Sequence, residues 1–117
     1  MADVMTKIEI VTRQSMLEEL KTALNEIGIN GMTVMNVLGY GTQKGQKHKY
    51  RGVEYSVDLV PKVKVEMVVC SVPVEDVINV ALSVLRTGEI GDGKIFVSPV
   101  SHVVKVRTGE TDREALL

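Results

Sequence analysis

This sequence has few aromatic residues and almost no excess of charge of either sign. Aromatic side chains make up 3% of the 117 residues, with no tryptophan and a single phenylalanine, Phe96. Surfaces that bind RNA by stacking need several exposed rings, so the composition argues against that class of protein. The formal net charge is −1, so the overall positive charge that attracts nucleic acid is missing as well.

Cysteine and long apolar runs are equally limited. The single cysteine, Cys70, excludes an internal disulfide and a multi-cysteine zinc site, and its alternating apolar surroundings predict a small buried strand residue. No stretch approaches the roughly 18 consecutive apolar residues of a membrane span, and the N-terminus lacks the pattern of a secretion signal. We therefore expect one cytoplasmic domain that covers residues 1–117.

An internal repeat organises the chain. Sliding the sequence against itself aligns KIEIVTRQSMLEEL, which begins at Lys7, with KVEMVVCSVPVEDV, which begins at Lys64. In each copy an alternating apolar segment predicts a strand, and apolar residues at helical spacing then predict a helix. Further strands are predicted at residues 32–40 and 94–100. The order strand, helix, strand therefore occurs twice.

This order predicts a ferredoxin-like α+β fold. Right-handed crossovers place the strands of a double βαβ unit in one antiparallel sheet with both helices on one face. Ser15 and Glu18 have the spacing of a capping box for the first helix, and Gly28 is placed to end it. A last strand is predicted at residues 102–107, with His102 at its edge. Because the other face of the sheet stays uncovered, we expect subunits to associate through it.

The connection between the second and third predicted strands is long. It runs from about residue 41 to 56, whereas hairpin connections commonly need about two to five residues. The stretch GYGTQKGQKHKYRGVEY, residues 39–55, combines glycines with basic side chains and has few apolar anchors, so we expect a moving loop with His48 in solvent. On the residues alone it is a phosphate-binding loop, a nucleic-acid-binding arm or a solvated loop.

A second glycine-rich segment is RTGEIGDGKI, residues 86–95. Gly88, Gly93 and Lys94 have the spacing of a Walker A motif, but Ile95 stands where that motif needs Ser or Thr. The segment also leads from a helix into a strand, whereas a P-loop leads from a strand into a helix, so we reject a P-loop. Glycine N–H groups and Lys94 still suit an anion, and a helix end followed by a simple turn is the alternative.

Several segments together carry a resemblance to a known family. NEIGINGMTV, QKG, YRGVEY, LVPKVKVEMVV, RTGEIGDGKIFVSPV and VRTGE occur in the order and at the spacing of the PII signal-transduction family, the GlnB/GlnK type. The sequence resembles that family from Lys7 to about Glu110. The resemblance implies a non-enzymatic homotrimer that binds ATP or ADP between subunits and binds 2-oxoglutarate together with Mg-ATP. It also implies a T-loop at about 39–59, a B-loop at 86–94 and a C-loop at about 107–113.

The resemblance further implies a set of site residues. Gln43 would ligate Mg2+ and, with Lys62, would bind 2-oxoglutarate. Arg51 would contact a partner protein, and Tyr55 is either a modification site or an unmodified loop tyrosine. The nucleotide-binding positions carried over from the family are Thr33, Gly41, Thr42, Gln43, Val68, Gly91, Asp92, Gly93, Lys94, Lys105 and Arg107.

The implied function is nitrogen regulation by signal transduction. The protein would sense ATP, ADP and 2-oxoglutarate and would act through its T-loop on an ammonium transporter or on nitrogen-metabolism enzymes and regulators. It would meet a membrane only through such a transporter, and it would not bind nucleic acid. Thr42 and Lys105 replace arginines common in the family, and lysine cannot bind phosphate in a bidentate manner. The alternatives are a nucleotide-dependent enzyme that uses Lys94 and an RNA-binding module.

Overall fold

A computed structural model describes residues 4–40, 47–50, 53–56 and 59–117. Among these residues, no helix is long and apolar enough to cross a membrane. The elements in chain order are β1 (Met5–Thr12), a short 3-10 helix (Gln14–Met16), α1 (Leu17–Glu26), β2 (Thr33–Tyr40), β3 (Lys47–Tyr50), β4 (Val53–Ser56), β5 (Leu59–Val69), α2 (Val74–Leu85), β6 (Lys94–Val100) and α3 (Asp112–Leu116).

The main sheet has four strands in the order β2-β5-β1-β6. Every neighbouring pair is antiparallel: β1 pairs with β5 and with β6, and β5 pairs with β2. Helix α1 connects β1 to β2, and α2 connects β5 to β6, so each crossover passes over one intervening strand. The ferredoxin-like double βαβ fold predicted from the repeat is therefore confirmed.

The core lies between one face of this sheet and the helices α1 and α2. Alternate residues of β1 and β5 point into it, as the period of two predicts. Burying a large aliphatic side chain stabilises a fold by roughly 1.5–3 kcal/mol, so these residues hold the layers together. The buried apolar residues of this cluster are Ile8, Ile10, Leu20, Leu24, Ile29, Val63, Val65, Met67, Val69, Val77, Ala81 and Leu85.

The start of α1 differs from the prediction. The chain enters the helix through the 3-10 turn, and neither Arg13 nor Met16 makes a side-chain capping bond. The capping box of Ser15 and Glu18 is therefore wrong, because Ser15 lies inside the 3-10 turn and Glu18 pairs with Lys21 at 3.1 Å. The end of α1 agrees with the prediction, since Gly28 follows it with a φ of 97°.

The strand predicted at residues 102–107 does not form. The segment makes a tight turn closed by an isolated bridge between Val104 and Thr111. Its backbone groups bond within the turn: the Lys105 N–H donates to Glu110 O at 2.8 Å, and the Gly109 N–H donates to Lys105 O at 2.7 Å. The prediction of His102 as a strand-edge residue is wrong for the same reason.

Two other local expectations need revision. Cys70 lies one residue beyond β5, where the chain bends towards α2, and it is half-buried and not a buried strand residue. The long connection also contains regular structure, since β3 pairs with β4 in a second, two-stranded sheet. The sequence analysis did not predict this pair, because β3 reads KHKY and has no apolar alternation.

Candidate functional site

The glycine-rich segment predicted as an anion-binding loop follows α2 and leads into β6. Three glycines in it have positive φ: Gly88 at 87°, Gly91 at 103° and Gly93 at 110°. Residues with a side chain are strained in this region of conformational space, so glycine allows the loop to turn this tightly. We call residues 86–94 the glycine loop.

Asp92 organises the inside of the glycine loop. Its carboxylate accepts the Thr87 hydroxyl at 2.5 Å, the Thr87 N–H at 2.7 Å and the Gly88 N–H at 2.9 Å. The Thr87 hydroxyl first, then the Thr87 N–H and the Arg13 guanidinium, hold the pKa of Asp92 well below its usual range. The ionised carboxylate is therefore held by donors of the loop itself and of Arg13, and these bonds shape the loop.

Two residues at the end of β1 tie the glycine loop to the sheet. Arg13 donates from Nη1 to Asp92 Oδ1 at 2.7 Å and from Nη2 to Ile90 O at 3.2 Å. Thr12 is fully buried and donates its hydroxyl to Asp92 O at 2.8 Å. Sequence reasoning missed both residues. The burial of Thr12 could have been predicted, because it continues the alternation of inward-facing residues that includes Ile8 and Ile10.

The glycine loop also packs closely against the neighbouring backbone. A Cβ atom on Gly93 would collide with the Val11 carbonyl oxygen, so only glycine fits there. Gly91 lies against the side chains of Arg13 and Lys62, and Lys62 Nζ donates to Gly91 O at 3.0 Å. The structure thus brings Lys62, predicted to bind 2-oxoglutarate, next to Gly91, predicted to bind nucleotide.

The face of the sheet opposite α1 and α2 carries a compact group of charges. Glu9 and Glu66 are direct cross-strand neighbours, and Lys64 reaches both at 3.1 and 3.2 Å. Lys7 lies 3.1 Å from Glu9 and 3.7 Å from Glu66. Lys64 and then Lys7 lower the pKa of Glu9, while Glu9 and then Glu66 raise the pKa of Lys64. The repulsion between the carboxylates of Glu9 and Glu66 is therefore offset by the ammonium groups of Lys7 and Lys64 on the same face.

Other predicted nucleotide contacts lie far from the glycine loop within one chain. Thr33 begins β2 at one edge of the sheet, and Lys94 begins β6 at the opposite edge. Neighbouring strands are about 4.8 Å apart, so the three spacings between these edges separate them by roughly 14 Å. Val68 lies in β5 and pairs with Lys7 of β1. It is six residues along β5 from Lys62, so Val68 and Lys62 are about 20 Å apart.

The remaining predicted residues lie in two segments. Lys105 and Arg107 belong to the C-terminal turn, where Lys105 Nζ donates to Leu117 O at 3.2 Å and Arg107 is exposed. Tyr55 lies in β4, opposite His48 of β3. Outside the described residues are Gly41, Thr42, Gln43 and Arg51.

An apolar groove adjoins the glycine loop between α2 and β6. Its volume is about 460 Å³, and Asp92, Gly93 and Lys94 line one end. Two of its apolar side chains are substantially exposed, Leu82 at 43% and Val97 at 48%. The β6 edge of the sheet therefore presents apolar surface beside the loop.

Comparison with known proteins extends along the whole chain. The model of the family described as nitrogen regulatory protein P-II matches residues 5–110. The nitrogen regulatory protein P-II of Synechocystis sp. is 53% identical over 112 residues, which cover 96% of this chain and 100% of that protein. The protein of the same name from Rhizobium meliloti is 49% identical over 112 residues, with 96% of this chain and 100% of that protein covered.

Solved structures agree with the sequence comparison. The complex of B. subtilis GlnK with ATP matches this chain with a TM-score of 0.83 at 43% identity, covering 99% of each chain. Arabidopsis thaliana PII bound to citrate matches with a TM-score of 0.77 at 42% identity, covering 97% of this chain and 92% of the other. The similarity therefore includes fold and sequence together.

Proposed function

Because the chain belongs to the nitrogen regulatory protein P-II family, we propose that it binds ATP, ADP and 2-oxoglutarate and controls partner proteins accordingly. The family and its role in nitrogen signal transduction are as the resemblance predicted. The finer proposal is a single cytoplasmic domain, residues 1–117, that acts as a regulator and not as an enzyme. Its output segment would be the T-loop at about 39–59.

The anchored glycine loop is the observation that carries this proposal. Arg13 and Thr12 hold Asp92 from β1, and Lys62 holds Gly91 from β5. A loop fixed in this way can present backbone N–H groups to phosphate oxygens without first losing conformational freedom. Lys94 adds a positive charge beside them. The ATP complex of B. subtilis GlnK, at 43% identity, supports adenine nucleotide as the ligand.

A homotrimer would complete the nucleotide site. Thr33 and Lys94 lie at opposite edges of one sheet, and edge-to-edge packing of two copies would bring Thr33 of one copy near Lys94 of the next. A contact between the β2 edge of one copy and the β6 edge of the next is heterologous, and such contacts form a ring when the rotation between copies closes, here after three copies. The neutralised charges on the sheet face opposite α1 and α2 and the exposed apolar side chains beside β6 suit burial between subunits.

Lys62 is the residue that would link the two ligands. Its ammonium group can donate three hydrogen bonds, and Gly91 O accepts one of them at 3.0 Å. A carboxylate of 2-oxoglutarate would accept another beside the bound phosphates. Arabidopsis thaliana PII bound to citrate, a polycarboxylate, supports this class of ligand. The affinity for 2-oxoglutarate would then depend on the nucleotide present.

Mg2+ belongs to the same proposal. Among the described residues, no group of three His, Cys, Asp or Glu side chains could hold a metal ion. The phosphate oxygens of ATP and the side-chain oxygen of Gln43 would supply its ligands, since oxygen ligands are those that Mg2+ prefers. Bound Mg2+ would neutralise charge between the triphosphate and the dicarboxylate.

The proposed output is the T-loop. Arg51 would contact a partner such as an ammonium transporter or a nitrogen-metabolism regulator, since its planar guanidinium suits carbonyl and carboxylate acceptors. Tyr55 is proposed as a modification site. Gln43 belongs to the first part of this segment in the sequence, and Lys62 lies in β5 just after its end, so ligands bound to both would favour particular loop conformations.

Calorimetry tests the proposal directly. We would titrate 2-oxoglutarate into the full chain with Mg-ATP, with Mg-ADP and without nucleotide, and we expect clear binding only with Mg-ATP. Lys62→Ala and Gln43→Ala should abolish this binding, whereas Lys21→Ala, which removes a cation from a surface pair with Glu18, should not. Equal binding under all three conditions would contradict the proposed linkage.

A further inference from the structure

Asp112 closes the C-terminal turn, and neither the sequence analysis nor the proposed site gives it a role. Its Oδ1 atom lies 2.8 Å from His102 Nδ1 and accepts the Val103 N–H at 3.1 Å. Its own N–H donates to Val103 O at 2.8 Å. The Val103 N–H first, and then His102, lower the pKa of Asp112, so the carboxylate is ionised at neutral pH.

The turn that Asp112 closes carries two of the proposed phosphate ligands. Lys105 bonds through its N–H to Glu110 O at 2.8 Å, and Arg107 lies at the exposed tip. Between them, Val106 is 98% exposed, so apolar packing does not hold the tip in place. The course of the backbone at Lys105 and Arg107 therefore depends on the polar contacts at the base of the turn, and Lys105 Nζ also donates to Leu117 O at 3.2 Å.

The backbone of Asp112 has an unusual conformation. Its φ of 54° lies in the left-handed region, and it is the one non-glycine residue there among those the structure describes. Asp and Asn tolerate this region better than other residues with side chains, yet the conformation persists only where the surroundings hold it. The carboxylate bonds to His102 and Val103 are such a restraint.

We propose that Asp112 is a positioning residue for the nucleotide site. By fastening the base of the turn to His102 and Val103, it orders Lys105 and Arg107 before the phosphates arrive. Ordering the backbone that carries these two side chains in advance reduces the entropy that binding would otherwise cost. The inference rests on the proposed function, because it requires Lys105 and Arg107 to contact the nucleotide.

The first test measures the Kd of Mg-ATP for the full chain by calorimetry. Asp112→Gly keeps a backbone that accepts positive φ and removes the carboxylate, so it reports on the side-chain bonds. We expect its Kd to rise roughly tenfold, with a smaller rise for Asp112→Asn, which retains an acceptor oxygen. Glu114→Gln removes the same charge from an exposed position of α3 and should leave the Kd unchanged.

The second test separates positioning from a general structural effect. If Asp112 acts through Lys105 and Arg107, then Asp112→Gly should change the Kd less than about twofold in a chain that already carries Lys105→Ala and Arg107→Ala. An undiminished effect in that background would overturn the inference, as would an unchanged Kd for Asp112→Gly alone. Absence of ATP binding by the wild-type chain would overturn both the inference and the proposed function.

Discussion

The guanidinium of Arg13 lies 2.7 Å from the carboxylate of Asp92, a residue 79 positions later in the chain. The pair joins the end of β1 to the glycine loop, and its side chains are only 31% and 20% exposed. Partial burial protects such a pair from screening by solvent and salt. Together with Thr12 and Lys62, it fixes the loop to two strands of the sheet.

Removing Arg13 should loosen the glycine loop without unfolding the domain. Arg13→Ala deletes the donors to Asp92 and to Ile90 O, while the hydrophobic core stays intact. We expect amide hydrogen exchange at residues 87–93 to speed up on the order of tenfold, and exchange in β1 and β5 to change little. Lys21→Ala, which removes a cation from an exposed pair, serves as the control. Equal protection in both variants would mean that Arg13 does not anchor the loop.

Gly93 should tolerate alanine far less well than Gly88. Both residues have positive φ, so alanine is strained at either position. At Gly88 the added Cβ meets nothing within 4 Å, whereas at Gly93 it collides with the Val11 carbonyl oxygen. Thermal unfolding should show a loss of about 1–2 kcal/mol for Gly88→Ala and of at least about 3 kcal/mol for Gly93→Ala. Similar losses for the two variants would argue against the close packing of the loop on β1.

The fold was predictable because its signals are periodic and local. Apolar residues alternate along β1 and β5, and α1 and α2 carry stripes at helical spacing, so the repeat of strand, helix and strand is readable. Gly28 and Gly88 mark turns that few other residues can make. Apolar residues that recur every two or every three to four positions can therefore be assigned to the core without knowing which distant residues they contact.

The contacts of the site were not predictable in the same way. Arg13 and Asp92 meet only after the β1–β6 pairing forms, and no local pattern records a partner so far along the chain. Residues 102–107 alternate like a strand, but Asp112 and Glu110 take up the backbone groups that a sheet would use. Side-chain and turn contacts of this kind compete with strand pairing for the same backbone groups, and the outcome depends on tertiary contacts that the local sequence does not show.

Thr12 should matter through its hydroxyl group. The residue is fully buried, and its hydroxyl donates to Asp92 O. Thr12→Val keeps the shape and leaves that carbonyl without this donor, so we expect a loss of about 1–2 kcal/mol in denaturant unfolding and faster amide exchange in the glycine loop. Thr12→Ser keeps the donor and should leave exchange in the loop unchanged, although the lost methyl group lowers global stability. Loop exchange that is equally fast in both variants would contradict this role.

Asp92 gives the loop a defined dependence on pH. The Thr87 hydroxyl, the Thr87 N–H and Arg13 lower the pKa of Asp92 in the folded state below its ordinary value of 3.8. A lowered pKa means that the carboxylate contributes its full stabilisation above that ordinary value, and that the contribution is lost as the pH falls through the folded value. The loop should therefore stay ordered at mildly acidic pH. Carboxyl carbon NMR should place the titration midpoint of Asp92 below that of an ordinary aspartate.

Two variants assign the cause of this shift. Thr87→Val removes the hydroxyl that contributes most, and Arg13→Ala removes the guanidinium that contributes less. Both should move the pKa of Asp92 upward, and Thr87→Val should move it further, because the hydrogen bond from the hydroxyl at 2.5 Å is the shorter one. The loop should then loosen at a correspondingly higher pH in each variant. A wild-type midpoint at the ordinary value would show that the carboxylate is not held by these donors in solution.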